Sequence, residues 1–179
     1  MARTDFFDLA ALHMSPGEGR RFPLEVAQES LELAGEHYEV EPPLVGVTLE
    51  VSRMLGAGWA LRLRLTATLS GRCMRCLEPA APVVEVDARE IDVPGGAEEL
   101  ESPYLDGDVL DLFRWTHDAV ALAAPDQILC NPDCPGLCTE CAIPLATAGP
   151  DHHHDRPPDP RWEVLRQLNL TDESPSSSS

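Results

Sequence analysis

Four of the six cysteines, Cys130, Cys134, Cys138 and Cys141, fall within a dozen residues, and Pro132, Pro135 and Gly136 force turns between them. A stretch that turns so often and carries so few apolar side chains has no core of its own to hold it. Something other than hydrophobic burial must fix it. Cys73 and Cys76 carry the two-residue spacing that lets one tight turn aim both sulfurs at a single ion. Beyond the dense cluster, Asp151-His152-His153-His154-Asp155 offers imidazoles at alternating positions, which an extended chain points the same way.

Zinc takes four tetrahedral ligands from thiolate and imidazole, and the six cysteines with His152 and His154 are enough for two closed sites. The favoured pairing joins Cys73 and Cys76 to Cys130 and Cys134, and Cys138 and Cys141 to His152 and His154. The spacing also admits one site of Cys73, Cys76, Cys138 and Cys141, or a local site of Cys130, Cys134, Cys138 and Cys141. One or two structural zinc ions are expected. A closed four-ligand site leaves no position for water, so no hydrolytic centre is indicated. His13, His37 and His117 stand alone and read as ordinary core or surface residues.

The metal reading depends on reduced thiols, and therefore on location. No apolar run approaches the roughly 20 residues of a membrane span. Arg3, Asp5 and Asp8 interrupt the opening segment where a signal peptide needs an unbroken apolar stretch. The chain reads as cytoplasmic, where thiols bind metal rather than form disulfides. Its 13 basic and 31 acidic side chains leave a net charge of −18. That charge disfavours nucleic acid and suits a basic partner.

Period-two alternation marks strands at Val45–Met54 and Trp59–Leu69, joined by a turn at Leu55-Gly56-Ala57-Gly58. Val84, Val86 and Ala88 begin a third strand in one phase and Ile91 and Val93 end it in the other, which predicts a bulge near Arg89 or Glu90. Residues 19–26 suggest an edge strand, since Pro23 lacks a backbone donor. Asp108 reads as the N-cap of a helix over 108–124 that stops at Pro125. Asp159-Pro160 opens a terminal helix over 159–168 with Trp162, Leu165 and Leu168 on one side, and residues 171–179 read as a disordered tail. Strands first and helices afterwards give an α+β domain over 1–170 with a largely antiparallel sheet. Its β-rich part covers about 15–95 and its metal segment 130–156.

Between Glu85 and Asp111 there are ten acids and one base, Arg89. The stretch is either a solvated strand face and loop or a docking surface for a basic partner, with Glu85, Asp87, Glu90, Asp92, Glu98 and Glu99 as the candidate contacts. Arg62, Arg64, Arg72 and Arg75 form the one region where RNA can dock, although they can equally meet the acidic strand opposite. No Gly-rich phosphate loop, nucleophile elbow or HExxH helix is present, and no small-molecule substrate is indicated. A thioredoxin-type CxxC opens a helix after a strand, whereas Cys73 lies between two strands and Pro135-Gly136 sets Cys138 in a turn. A thiol oxidoreductase is therefore the weakest alternative.

The order of these segments resembles a known family. An alternating β region ends in Cys-Met-Arg-Cys-Leu-Glu-Pro. An acidic strand and a helix opening with Asp-Leu-Phe follow. Then come Cys-Asn-Pro-Asp-Cys-Pro-Gly-Leu-Cys-Thr-Glu-Cys, three histidines and Asp-Pro-Arg-Trp. The chain is similar, over roughly residues 5–170, to the YceD-like large ribosomal RNA subunit accumulation proteins of bacteria and plastids. The resemblance implies a part in large-subunit assembly with no enzymatic activity. It also implies a link to a small basic ribosomal protein or a pre-ribosomal particle, because family genes commonly neighbour the gene of such a protein. Ala142 stands where many relatives carry glycine after the last cysteine, and His152 and His154 stand where Cys-x-Cys is often found. Imidazole in place of thiolate keeps the ligand chemistry.

Overall fold

The computed structural model describes residues 4–56, 58–97 and 100–154. The expected terminal helix and tail lie outside the described residues, as do Glu98 and Glu99. Ten strands, a single 3-10 turn at Ala10–Leu12 and one α-helix are described: β1 (Phe6–Asp8), β2 (Gly19–Ala27), β3 (Leu31–Leu33), β4 (Glu36–Glu41), β5 (Leu44–Arg53), β6 (Trp59–Arg72), β7 (Pro79–Ala80), β8 (Val83–Asp92), β9 (Leu105–Asp106), β10 (Val109–Asp111) and α1 (Leu112–Ala123).

The longest strand, β6, organises the sheet. Trp59, Leu61, Leu63, Leu65, Ala67 and Leu69 are buried on one face, while Arg62, Arg64 and Thr66 face the other. Along one edge β6 pairs with β5, from Val47 opposite Leu65 to Arg53 opposite Trp59. Further along, it pairs with β4, from Glu41 opposite Thr68 to Glu39 opposite Ser70. The chain passes from β4 to β5 through Pro42 and Pro43, where a donor-free backbone interrupts the ladder. Along the other edge lies β8, from Val83 opposite Thr68 to Asp92 opposite Trp59, and β7 continues it against Gly71 and Arg72. Outermost are β2 on β5 and β3 on β4. The main sheet is thus an antiparallel meander of long, broken strands. A second, three-stranded sheet is built from β1, β10 and β9.

One helix covers the apolar face. Leu112, Trp115, Thr116, Ala119 and Val120 of α1 are buried, and they meet the core formed by Val45, Leu49, Leu63 and Val86. The fold is therefore a mostly antiparallel β structure with one described helix, consistent with the α+β class expected from the sequence.

Two local expectations are corrected. The helix starts at Leu112 rather than 108, and Asp111 is its N-cap, accepting a hydrogen bond from the Arg114 backbone N–H at 2.9 Å. Asp108 instead accepts from Trp59 Nε1 at 2.8 Å, which ties the second sheet to the start of β6. The strand β8 carries no bulge, since its register against β6 is unbroken from Val83 to Asp92. Its phase therefore never switches, and Ile91 is left half exposed while Glu90 and Asp92 turn inward. Those carboxylates tolerate the position because Ser102 serves both: its hydroxyl donates to Glu90 at 3.1 Å and its backbone N–H to Asp92 at 3.1 Å. Burial nevertheless pushes the Glu90 carboxyl above its usual range, with the Ser102 bond opposing it.

Strand β4 is locked onto β6 by an aromatic ring over a glycine. Tyr38 is fully buried and its hydroxyl donates to the Arg72 carbonyl at 3.0 Å. A Cβ on Gly71 would run into the Tyr38 ring carbons. Gly71→Ala should therefore lower stability by about 1–3 kcal/mol, as overpacking generally does. Thermal and urea unfolding would show it; an unchanged midpoint would mean that the ring moves aside freely.

Candidate metal centres

Both CxxC segments adopt the same turn. In the first, Leu77 N–H bonds the Cys73 carbonyl at 3.0 Å and Cys73 N–H bonds the Glu78 carbonyl at 2.8 Å. In the second, Ala142 N–H bonds the Cys138 carbonyl at 2.9 Å and Cys138 N–H bonds the Ile143 carbonyl at 2.8 Å. The residue after each second cysteine is left-handed, with φ of 63° at Leu77 and 57° at Ala142. The turn thus forms with alanine at position 142. Each loop curls back on itself so that two side chains separated by two residues project to one side.

The first turn joins β6 to β7, and the segment after α1 meets it there. Met74 N–H donates to the Ile128 carbonyl at 2.8 Å, and Ile128 N–H reaches Met74 Sδ at 3.4 Å. The Arg75 guanidinium bonds the Gln127 side chain at 2.9 Å and the Cys134 carbonyl at 3.2 Å. This sets Cys73 Sγ 3.7 Å from Cys134 Sγ and Cys76 Sγ 3.6 Å from Cys130 Sγ. All four sulfurs lie within 4.8 Å of one another, with Cys73, Cys76 and Cys134 buried and Cys130 exposed. Tetrahedral zinc with metal–sulfur bonds of about 2.3 Å places its sulfurs about 3.8 Å apart.

The second group gathers Cys138, Cys141, His152 and His154, whose ligand atoms also lie within 4.8 Å of one another. Cys141 Sγ and His152 Nε2 are 3.7 Å apart, and the two imidazoles meet edge to face with centroids 4.8 Å apart. Cys141 and His154 are exposed, so this group sits at the surface where the first is largely enclosed.

The thiols carry the electrostatic mark of a cation site. Burial pushes the Cys73 thiol up, but the backbone N–H groups of Cys76, Arg75 and Cys130 aimed at its sulfur outweigh this and hold it at about 6. At Cys138, His152 and the N–H groups of Cys141 and Glu140 likewise give about 6. Cys76 moves the other way: a backbone N–H of Glu78 favours its thiolate, yet burial and the sulfurs of Cys73, Cys134 and Cys130 push it up to about 12. Four sulfurs this close do not all ionise without a cation among them. The donor sets and spacings fit zinc in both places. A four-thiolate zinc site carries net charge of about −2 and a two-thiolate, two-imidazole site about zero.

The remaining predicted site residues are spread over the sheet. Arg62 donates to Asp87 at 2.7 Å, Arg64 pairs with Glu50 at 2.6 Å, and Arg21 reaches the same carboxylate at 2.7 Å. These arginines and acids answer one another across the outer face, while Arg75 serves the first cysteine group. Arg72 and Glu85 are exposed, and Glu90 and Asp92 turn inward as described. Gly136, expected from the sequence as a turn former, has a second role that the sequence did not show. Its φ is 81° and a Cβ there would press on the Arg75 carbonyl at 3.3 Å, so glycine allows the second segment to lie against the first turn. Its place in Cys-Pro-Gly-Leu-Cys was the available signal.

An antiparallel β structure with a four-cysteine and a two-cysteine, two-histidine cluster defines a class of protein able to be stapled by metal. The sequence pattern of the large ribosomal RNA subunit accumulation protein YceD family matches residues 61–169, and the chain belongs to that family. It is 38% identical over 110 residues to uncharacterized proteins of Mycobacterium tuberculosis and Mycobacterium bovis. It is 34% identical over 115 residues to an uncharacterized protein of Mycobacterium leprae. These matches cover 58% and 60% of this chain, and 52% of each relative, so the chain spans about half the length of the relatives it matches. No solved structure matches.

Metal analysis of untagged protein should give two equivalents of zinc per chain. Cys73→Ser should lose one equivalent and several kcal/mol of stability, since structural zinc contributes on the order of 10 kcal/mol. Cys138→Ser should lose one equivalent and leave most of the sheet's stability. A loss of both ions from either variant would mean a shared site. Separately, Ala142→Gly relieves a left-handed alanine that costs roughly 1–2 kcal/mol, partly offset by glycine's greater chain entropy. It should slow zinc loss to a chelator, and faster loss would refute this account of the turn.

Proposed function

We propose that this protein is a non-catalytic assembly factor that supports accumulation of large-subunit ribosomal RNA. In this reading it binds a basic ribosomal protein or a pre-ribosomal particle, and structural zinc at the two clusters holds it in shape. The family match over residues 61–169 is the observation that carries the reading. The net charge of −18 supports a basic protein as the direct partner. Residues 1–170 act as one unit in this reading, which is supported, among the described residues, by the second sheet, the helix and the first cysteine group all packing against β6 or its neighbours.

Cys73, Cys76, Cys130 and Cys134 hold one ion and Cys138, Cys141, His152 and His154 the other. Zinc supplies the fixed geometry, and the chain's own groups orient it through the N–H bonds to sulfur and the Arg75 bridge. The partner meets the acidic strand and loop, with Glu85, Asp87, Glu98 and Glu99 as contacts, whereas Glu90 and Asp92 turn inward onto Ser102 and serve the fold. RNA docking through Arg62, Arg64, Arg72 and Arg75 is the lesser reading, because carboxylates and the Cys134 carbonyl already engage three of those guanidiniums. Both CxxC segments form closed turns beside further ligands, rather than opening a helix, which speaks against a thiol oxidoreductase.

Depletion of the protein in its own cells should lower the ratio of large- to small-subunit ribosomal RNA severalfold. The wild-type chain should restore the ratio, while Cys73→Ser should not. An unchanged ratio on depletion would overturn the proposal.

A further inference from the structure

Among the described residues, the outer edge of β8 offers unused backbone beside an apolar surface. Among the described residues β8 pairs with β6 alone, so one side of its ten-residue ladder has no strand against it. Helix α1 runs alongside, and the two elements enclose a groove of about 430 Å³ that straddles the edge. Val86, Ala88, Tyr104, Trp115 and Ala119 form its floor, and Leu122, 85% exposed, stands at its rim. Isolated exposed leucines are common, but this one borders a groove already floored by aromatic and small side chains.

Charge identifies what fits there. Glu85, Asp87 and Glu90 line the groove with Arg89 as its single base, and Asp118 of α1 holds the Tyr104 hydroxyl at 3.2 Å behind it. Edge strands are commonly guarded by charge against indiscriminate pairing. A guard that is mostly acidic still admits an extended segment whose own charges are positive. Alternation then does the sorting: apolar side chains of the added strand enter the groove, while its basic side chains meet Glu85 and share with Arg62 the half-exposed Asp87.

We propose that an extended basic segment of the partner adds to the sheet as a strand along the free edge of β8, with alternate apolar side chains seated between β8 and α1. This rests on the reading of a basic partner given above and specifies how that partner is held. Polyanions are repelled by the same edge, so RNA does not take this position.

The test uses the full chain with a nine-residue peptide of alternating arginine and valine, and a glutamate–valine counterpart as control. Single-amide hydrogen exchange by NMR should show every second amide between Val83 and Ile91 slowed at least tenfold by the arginine peptide and unchanged by the control. Glu85→Arg and Leu122→Asp change exposed side chains and should each weaken binding at least tenfold without shifting the unfolding midpoint. Absence of binding, binding without alternating protection, or binding indifferent to both substitutions overturns the proposal. So does protection of those amides without peptide: if independent of concentration, it assigns the edge to the chain's own residues, and if rising with concentration, to a second copy. The Glu85→Arg chain should also fail to restore the ribosomal RNA ratio. Restoration by it would sink the edge proposal and leave the assembly role standing, whereas a ratio unmoved by depletion would sink the assembly role itself.

Discussion

The gathering of four sulfurs at one end of the sheet is the constraint on which the rest depends. Cys73 and Cys76 come from the turn between β6 and β7, and Cys130 and Cys134 from a segment more than fifty residues further along the chain. Bringing them together closes a long loop, whose entropic cost grows only slowly with length. Gathering the sulfurs carries a second cost, because neighbouring thiols oppose each other's ionisation. The opposite shifts of Cys73 and Cys76 record that opposition. A divalent cation would remove it, and one ion would then fix both the turn and the segment after α1, which Arg75 already ties together through the carbonyl of Cys134.

Much of the sheet was legible because its strands are long and bury one face. Leucine and valine at every second position of β5 and β6 fix which face of each strand is buried and forbid a one-residue slip. The short strands β3, β4, β9 and β10 were not legible. Strands of two or three residues, such as Leu31–Leu33, hold too little alternation to mark a period, and β4, on which β3 pairs, is held to β6 by the tertiary contact of Tyr38 over Gly71. The bulge expected in β8 failed for a related reason. Ile91 looked like a core residue, yet Ser102, ten residues beyond Asp92, supplies the bonds that let Glu90 and Asp92 take the inward places. Local hydrophobicity cannot see a partner that distant. The two groups favoured from the spacing of the cysteines and histidines are the ones the structure gathers, and the return of the chain after α1 to the β6–β7 turn decides between them and the other groupings that the spacing admitted.

The acidic excess is also less uniform than composition suggests. Asp87 and Glu50 neutralise Arg62, Arg64 and Arg21 across the outer face, Asp111 caps the helix, and Asp108 anchors Trp59. These carboxylates serve the fold. Such exposed pairs contribute little stability each, typically under about 1 kcal/mol. They do decide which charges remain available to a partner. What remains beside an open strand edge is chiefly acidic, which narrows the partner's chemistry more than the net charge alone does.

The cysteine site and the free edge belong to one mechanical unit. β7 and β8 keep the same register against β6, with Ala80 opposite Gly71 and Val83 opposite Thr68, although Ala81 and Pro82 lie between them. The turn that carries Cys73 and Cys76 leads directly into β7. Holding Cys73 and Cys76 in place therefore fixes where β8 begins, and a slip of one residue would turn Val84 and Val86 outward and Glu85 and Asp87 into the core. The pattern presented along the groove, acids at the rim and small apolar residues on the floor, exists only in the native register. In this fold a metal clamp at one end of a strand pair can set the recognition surface along its length without touching it.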